Sequence, residues 1–230
     1  GTLQTRSMGG VGVGMRNAAA VNLLNPAAYS AVRPKSFLFD FGLEGQCFYN
    51  SQKYYGQTLN TSYYTVNFHD IAFQLPIAKH LGLGFSLTPY SSVGYRMKQE
   101  VDDDEIWGNI GRVQYQWDGD GDVTEVKLGL GWEIFRGFSI GIAAQYYWGD
   151  IQRIYKTAIL ENITGGGLIA DATGTETYSV SRFKGQFGVQ WSPISNRRRI
   201  LTIGATYDIG GDLNPNVTTK VQTGDIFNTV

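Results

Sequence analysis

Cross-linking groups are scarce in this chain, and no part of it is suited to cross a membrane as a helix. Of its 230 residues only Cys47 is a cysteine, so an internal disulfide and a thiolate metal cluster are both excluded. No run of about 18 apolar residues occurs, which excludes a membrane-spanning helix. The formal net charge of −1 at pH 7 provides no electrostatic reason to expect nucleic-acid binding.

Charge and proline are also scarce, whereas glycine and tyrosine are abundant. Charged residues make up 17% of the chain and aromatic residues 13%, and there are 30 Gly and 14 Tyr against 6 Pro. A Gly-rich disordered chain would not carry this many aromatic residues. The balance instead suits a transmembrane β-barrel, in which only every second residue of a strand must be apolar.

One segment shows the strand pattern most clearly. From Phe138 to Trp148 every second residue is apolar, and the residues between them are mostly small or polar. A period of two residues indicates a strand whose two faces meet different surroundings. The apolar face is about eleven residues long and ends in Tyr146 and Trp148, as expected for a strand that crosses a bilayer.

The same alternation recurs along the chain, and the connections are alternately short and long. The alternating segments are residues 37–43, 64–77, 81–88, 126–134, 138–148, 183–191 and 201–207, with a further candidate at 217–221. Short turns are expected at 78–80, 136–137 and 193–198, and long polar loops at 45–63, 99–121 and 157–175. A phase slip at His69-Asp70 predicts a β-bulge. This rhythm is typical of outer-membrane barrels and predicts an all-β, antiparallel transmembrane barrel.

Residues 1–35 differ from the strand region, residues 36–230, and are expected to pack inside it. Ala18, Ala19 and Ala20 favour a short helix over residues 16–24, which Pro26 would end. No apolar secretion signal is present near the first residue, so we expect that a signal was removed before it. The chain also stops without the final aromatic residue with which bacterial barrels usually close. We therefore expect it to be part of a longer protein.

Two segments resemble the FadL-type outer-membrane transport proteins, in their divergent Bacteroidetes-type branch. The first runs from Ser7-Met-Gly-Gly-Val-Gly to Asn25-Pro-Ala-Ala-Tyr-Ser and is similar to the N-terminal hatch of that family. The second covers residues 75–90 and is similar to the family's second and third strands. The resemblance implies a monomeric barrel of about fourteen strands, within the range of bacterial barrels. It also implies a hatch that plugs the barrel.

The function implied by the resemblance is passive uptake of hydrophobic small molecules, such as fatty acids, across the outer membrane of a Gram-negative bacterium. The implied partners are the lipid bilayer and a hydrophobic molecule, lipid or detergent. The hatch residues carried over are Met8, Gly9, Gly10, Asn22, Asn25 and Pro26. Alternatively, the last three serve only to cap the short helix and fix a turn.

Aromatic residues in the first long polar stretch are candidates for binding a hydrophobic solute above the membrane. They are Tyr49, Tyr54, Tyr55 and Tyr63. Tyrosines at this level of a barrel equally serve as anchors at the membrane interface. Both interpretations remain open from the sequence.

Three carboxylates at alternate positions, Asp118, Asp120 and Asp122, are a weak candidate for a calcium site. The match to an EF-hand loop fails because Val123 stands where a glycine is required. A solvated Asp-Gly turn is the favoured interpretation. The neighbouring residues 110–117 also alternate, and they predict a small hairpin with residues 123–126 above the membrane.

The inward face of the predicted strands carries glycines and a few polar side chains. The glycines are Gly82, Gly84, Gly129, Gly131 and Gly141, and the polar residues are Lys127, Glu133, Lys184 and Gln186. Glycine within a strand often marks close approach by other atoms. We expect these glycines to make room for the N-terminal segment, with ligand binding as the alternative.

Nothing in the sequence predicts catalysis or a cofactor. His69 and His80 are the only histidines, no serine motif accompanies them, and no strand precedes the Gly-rich stretch that starts at Gly9. We therefore expect no enzyme. Two other functions remain open besides uptake: a protein-binding platform or shuttle in outer-membrane secretion or assembly, and a polar porin. A soluble β-sandwich is the remaining alternative fold.

Overall fold

The computed structural model describes residues 2–54, 57–101, 112–161, 172–196 and 199–223. These residues form a short α-helix, α1 (Leu3–Ser7), a 3₁₀ helix (Pro26–Ala31) and eight strands. The strands are β1 (Leu38–Tyr54), β2 (Gln57–Ala78), β3 (Leu81–Val101), β4 (Arg112–Phe135), β5 (Phe138–Glu161), β6 (Ala172–Ser195), β7 (Ile200–Ile209) and β8 (Asn216–Thr223). Within the described ranges, no helix is both long and apolar enough to span a membrane.

The strands lie side by side in chain order in one sheet. The order is β1 to β7, and β8 pairs with β6. The residue pairings are antiparallel between β1 and β2, β2 and β3, β6 and β7, and β6 and β8. The predicted all-β antiparallel fold is confirmed. A barrel of about fourteen strands, as the family resemblance implied, is not seen in the described part of the chain.

The strands are longer than the alternation of apolar residues predicted. β1 has 17 residues and β4, β5 and β6 have 24 each, against about 9–11 needed to cross a bilayer. The loop predicted at 45–63 is therefore wrong, since β1 and β2 are paired from Leu38↔Gln74 to Tyr54↔Gln57. The hairpin predicted over residues 110–126 is also wrong, because β4 runs without a break from Arg112 to Phe135. The strands continue through polar residues, so the pattern of apolar residues alone predicted strands that are too short.

The predicted bulge and the first two short turns are confirmed. Gly42 pairs with Asp70 and Leu43 pairs with Phe68, which leaves His69 as the extra residue. A Cβ added at Gly42 would lie 3.0 Å from the Cβ of His69, so this glycine makes room for the bulge. The turn after β2 consists of two residues, and the turn after β4 likewise consists of two.

The helix predicted over residues 16–24 is wrong. These residues form turns and irregular backbone, and the 3₁₀ helix begins at Pro26 instead of ending before it. Proline at the first helical position costs no hydrogen bond, and its fixed φ suits a helix start. Asn25 is the N-cap, and its side chain accepts a hydrogen bond from Ala27 N. The Asn25-Pro26 pair therefore starts a helix and does not end one.

The described chain divides into two compact units. The first contains Gly1–Pro89, Glu125–Tyr146 and Phe183–Gly211, and the second contains Tyr90–Thr124, Tyr147–Arg182 and Asp212–Val230. The proposed boundary between a segment 1–35 and a strand region 36–230 remains a prediction.

In the first unit the sheet curls around the N-terminal residues into a half-barrel. Val21 and Leu23 pack with Ala72 of β2 and Leu38 of β1. At the other end of the strand order, the backbone of Val13 lies against Gly204 of β7. A single short segment can reach the first and the seventh strand only if the sheet between them is curved.

In the second unit the strands approach each other closely at glycines. The ring of Tyr95 occupies the space that a side chain at Gly119 would fill, with Cζ 2.6 Å from the added Cβ. Arg96 Nε donates to Asp118 Oδ1 over 3.1 Å. The guanidinium of Arg153 lies 5.2 Å from the ring centre of Tyr178.

The distribution of polarity between the two faces of the first unit is the reverse of that in a water-soluble protein. On β4, Trp132 is 51% exposed whereas Lys127 is 5% exposed. The same holds on the neighbouring strands, where the aromatic side chains point outward and stack, such as Phe73 on Phe85 with 4.8 Å between ring centres. Exposed apolar area of this extent marks a surface that contacts lipid or another protein.

The exposed apolar face predicts how the fold responds to a charge. Leu130→Lys should destabilise the protein in phosphatidylcholine vesicles by about 2–4 kcal/mol, the cost of a lysine near the middle of a bilayer. Tyr49→Lys, near the end of β1, is the control and should cost about 0–1 kcal/mol. Urea unfolding followed by tryptophan fluorescence measures both. Equal, small effects would contradict a lipid-facing wall.

Candidate functional site

Glycines on the inner face of the first unit form a seat for residues 11–34, here called the seated segment. A Cβ at Gly84 would lie 2.5 Å from Tyr29 Cζ, and one at Gly131 would lie 2.9 Å from Ser30 N. Each of these glycines would meet the seated segment if it carried a side chain. The glycine seat consists of Gly82, Gly84, Gly129, Gly131, Gly141, Gly188 and Gly204. The prediction that inward-facing glycines make room for the N-terminal segment is confirmed for the five named from the sequence.

The 3₁₀ helix fills the centre of the seat. Its residues Pro26 to Ser30 are all buried. Asn25 Oδ1 accepts from Ala27 N at 3.0 Å, and Ser30 Oγ donates to Ala27 O at 2.8 Å. Small residues at Ala27 and Ala28 let the helix approach the strand backbones. The side chains of Asn25 and Ser30 thus stabilise the two ends of this short helix, which has almost no exposed surface.

Asn25 also links the seated segment to the sheet. Its side-chain amide donates to Val13 O at 2.9 Å and to Val189 O of β6 at 3.1 Å. The residue is completely buried, and its carbonyl and its amide group both have partners. Loss of this side chain would leave the buried Ala27 N without its acceptor, and an unpaired buried group costs about 1–3 kcal/mol.

Two further amides hold the irregular backbone before the helix. Asn22 Nδ2 donates to Gly12 O at 2.8 Å and to Met15 O at 2.7 Å. Gln190 Nε2 of β6 donates to Val13 O at 3.0 Å and to Met15 O at 3.1 Å. Residues 12–15 have no regular secondary structure, so these side chains satisfy carbonyls that a helix or sheet would otherwise pair.

A buried cation, Lys127, holds the seated segment from β4. Its Nζ donates to Leu23 O at 2.9 Å and to Gln186 Oε1 at 3.2 Å, and Glu125 Oε1 lies 3.6 Å away. A buried ammonium is tolerated only where a carboxylate and hydrogen-bond acceptors surround it. Leu23 O therefore supplies part of the environment that Lys127 requires, and the two stabilise each other.

A second ion pair joins the seated segment to the turn end of β4. Arg16 Nη2 lies 3.1 Å from Glu133 Oε2, and Arg16 Nη1 donates to Ser30 Oγ at 3.1 Å. Burial lowers the pKa of the Arg16 guanidinium, an effect that Glu133 opposes. A guanidinium stays charged under all ordinary conditions. The pair is half-buried and therefore less screened by salt than a surface pair.

Tyr29 is the largest side chain buried in the seat. It is 1% exposed, and its ring lies against Gly84 and Gly129. Burial raises the pKa of its hydroxyl, so the residue stays neutral. The ring occupies the space that the two missing side chains leave.

The whole chain matches one protein family. Residues 1–230 match the family BamG. The chain belongs to the BamG family. No curated protein and no solved structure matches it with significance.

Membership of the BamG family corrects the resemblance drawn from the sequence. BamG is a family related to the BAM complex and not a FadL-type transporter, so the FadL assignment is wrong. The resemblance depended on the motif Asn25-Pro-Ala-Ala-Tyr-Ser. In this chain the motif forms the short helix that packs on the glycines of the strands. Such a motif does not specify what the barrel does.

The structure of this BamG-family chain brings together only part of the predicted hatch set. Asn22, Asn25 and Pro26 lie in the buried seat. Met8 is 46% exposed, and it lies with Gly9 and Gly10 in the turn after α1. The two glycines have φ of 73° and 82° and close that helix, where Gly9 N donates to Arg6 O.

Three of the four predicted loop tyrosines lie in paired strands. Tyr49 and Tyr63 belong to β1 and β2 and are 67% and 55% exposed. Tyr63 pairs with Phe48, and the two rings are 6.2 Å apart. Tyr54 is the last residue of β1, and Tyr55 lies outside the described residues. Solute binding and anchoring at the membrane interface both stay predictions for these rings.

The carboxylates considered for calcium lie on β4 and not in a turn, so the predicted Asp-Gly turn is wrong. Asp118 is bonded to Arg96 and Gln116. In the ranges the structure describes, no three His, Cys, Asp or Glu side chains are grouped so as to hold a metal ion. Asp120 and Asp122 alternate with Gly119 and Gly121, where neighbouring strands approach closely.

Three buried residues around the glycine seat were not predicted as site residues from the sequence. Tyr29, Gln74 and Gln190 are among the largest fully buried side chains. Each glutamine lies between two outward apolar residues in a segment of alternating polarity. This position could have predicted that both side chains face inward. Tyr29 gave no such signal, because an aromatic residue after Pro-Ala-Ala is equally suited to a surface. Lys127 and Gln186, expected to face inward, are both buried.

A side chain in the glycine seat should displace the seated segment. In Gly141→Val the new Cβ would lie 2.6 Å from Pro26 O, and overpacking of this kind costs about 1–3 kcal/mol. We expect trypsin to cleave after Arg16 at least about tenfold faster, the rate change that 1.4 kcal/mol produces. Gly185→Val is the matched control, since nothing lies within 4 Å of its added Cβ. Equal cleavage rates in both variants would refute the seat.

Removal of the Lys127 charge should destabilise the first unit unless its carboxylate is also neutralised. Lys127→Met leaves Glu125 without its buried partner, and breaking a buried pair costs about 3–5 kcal/mol. The double variant Lys127→Met/Glu125→Gln should regain at least about half of this loss. Urea unfolding of the three proteins in detergent measures the coupling. Additive effects would show that the pair contributes no coupling.

Proposed function

We propose that this protein is an outer-membrane subunit of the assembly machinery to which the name of its family refers, and that it acts there as a protein-binding scaffold. The family match over residues 1–230 is the observation that carries the proposal. This is the alternative that the sequence left open beside uptake. The β-rich antiparallel fold and the family are consistent with a location in the outer membrane of a Gram-negative bacterium.

The filled interior of the first unit favours a scaffold over a passage. A solute passing through it would have to displace the seated segment and thereby break the contacts of Lys127 with Leu23 O and of Asn25 with Val189 O. Each buried group left without a partner costs about 1–3 kcal/mol, and more when it is charged. On the sheet side, the buried polar residues Gln74, Lys127 and Gln190 face the seated segment, and such side chains are poorly suited to a hydrophobic ligand. Uptake of fatty-acid-like molecules therefore has no support.

The outward apolar face is suited to lie in the membrane or against another barrel. Side chains such as Phe39, Trp132 and Phe187 are each at least half exposed. A scaffold in the outer membrane needs an apolar outer wall, and its partners can bind at the wall or at the strand ends.

Co-purification from the native bacterium tests the proposal. The tagged full-length protein, extracted in mild detergent, should retain the central barrel of the assembly machinery in near-stoichiometric amounts. Depletion of the protein should lower the amounts of folded outer-membrane barrels, and the purified protein should show no conductance in planar bilayers.

The control is an abundant outer-membrane barrel from the same cells, tagged and extracted in the same way. Recovery of the assembly barrel with both proteins would show non-specific association. Normal barrel levels after depletion, together with reduced fatty-acid uptake, would refute the assembly role.

A further inference from the structure

A crevice of about 850 Å³ opens at the turn end of the first unit, between the seated segment and three hairpin turns. We call it the turn crevice. The turns are those between β2 and β3, between β4 and β5 and between β6 and β7. Its ionisable lining residues include Arg16, Arg33, Lys79, His80, Glu133 and Arg136. Cavities that bind ligands have volumes of about 300–1,000 Å³.

Backbone hydrogen bonds tie two of the three turns to neighbouring strands. Glu133 N donates to His80 O at 2.9 Å, which ties the first turn to β4. Ser192 N donates to Gly137 O at 2.7 Å, which ties the second turn to β6. Such a preorganised rim loses little entropy when a partner binds.

The only described carboxylate that lines the crevice is already neutralised within it. Glu133 Oε2 lies 3.1 Å from Arg16 and 3.6 Å from His80 Nδ1, and Glu133 Oε1 accepts from Gly137 N at 3.1 Å. By contrast, the cations at the rim have no carboxylate within ion-pair distance among the described residues. These are Arg33, Lys79 and Arg136, all exposed.

We propose that the turn crevice binds an acidic peptide segment of a partner protein. The three rim cations come from three separate parts of the chain, so one small anion would not engage them all, whereas an extended peptide can follow them in turn. Pro34, Pro76 and Pro193 provide apolar contacts between the charges. The inference rests on the proposed scaffold function, because it names the site at which the partner binds.

A peptide fits the orientation of the crevice better than a lipid headgroup does. Arg16, Glu133 and Thr202 line it from the seated segment and from the inner face of the strands, where seat residues such as Gly131 and Gly204 also lie. Lipid headgroups surround a barrel on its outside, at the level of the outward-facing side chains. A segment that enters from the aqueous side reaches the inner face directly.

Direct binding tests the site in the purified full chain. The probe is a fluorescein-labelled ten-residue peptide in which Asp and Leu alternate, with a Lys-Leu peptide for comparison, and fluorescence anisotropy gives Kd. The triple variant Arg33→Glu/Lys79→Glu/Arg136→Glu should bind the acidic probe at least about tenfold more weakly, and salt should weaken wild-type binding. Neutral Gln variants at the same positions replace it if the Glu variant fails to fold.

The matched control changes the net charge equally at lysines outside the crevice. It is Lys53→Glu/Lys98→Glu/Lys220→Glu, and it should keep the wild-type Kd. Equal weakening in both triple variants, or no binding of the acidic probe by the wild type, overturns the proposal. Binding of anionic vesicles that depends on the rim cations, without binding of the acidic peptide, also overturns it in favour of a lipid site.

Co-purification separates this inference from the scaffold proposal. Loss of the partner in the rim variant, but not in the control variant, supports both. Retention of the partner by the rim variant at every salt concentration overturns the crevice as the docking site and leaves the scaffold proposal standing. Specific peptide binding by a wild-type protein that retains no partner supports the crevice and refutes the scaffold role.

Discussion

Close backbone approach between the N-terminal segment and the strands is the constraint on which the rest of the structure depends. The main chain of Pro26 and Tyr29 lies where side chains of Gly131 and Gly82 would otherwise be. Only glycine permits this distance in a strand, at the cost of conformational entropy. Once the segment is seated, side chains of the sheet reach its carbonyls. Lys127 meets Leu23 O, and the remaining amide contacts follow from the same approach.

The seated segment also solves the problem of a polar interior. A sheet whose large apolar side chains mostly point outward has only a small hydrophobic core, here Val21, Leu23 and Ala72. The inner side chains, such as Gln74 and Gln190, are buried, and they donate to the irregular backbone of residues 13–22. The irregular backbone and the polar strand face therefore satisfy each other. A scaffold with a filled interior follows from this pairing more directly than a passage does.

The family assignment shows how local chemistry is shared between proteins of different function. In this chain an Asn-Pro pair caps and starts a short helix, and alternating glycines of the strands receive it. These residues supported a resemblance to a transporter, although the chain belongs to the BamG family. The motif therefore indicates how the segment packs on the strands, and it does not indicate function. The motif does not include the exposed rim at Lys79 and Arg136, where we propose that a partner binds.

The sequence by itself determined the strand class, the polarity of the two faces, the bulge at His69 and the role of the glycines, because a period of two residues is a local property. Tertiary structure decided what local patterns cannot encode. The polar parts of β1 and β4 form strands because neighbouring strands pair with them. The pattern of apolar residues within one segment does not contain this information. Pro26 starts a helix instead of ending one because the seat buries the residues after it. Arg16 and Glu133, 117 positions apart, meet only when the curled sheet brings the turn end to the seated segment.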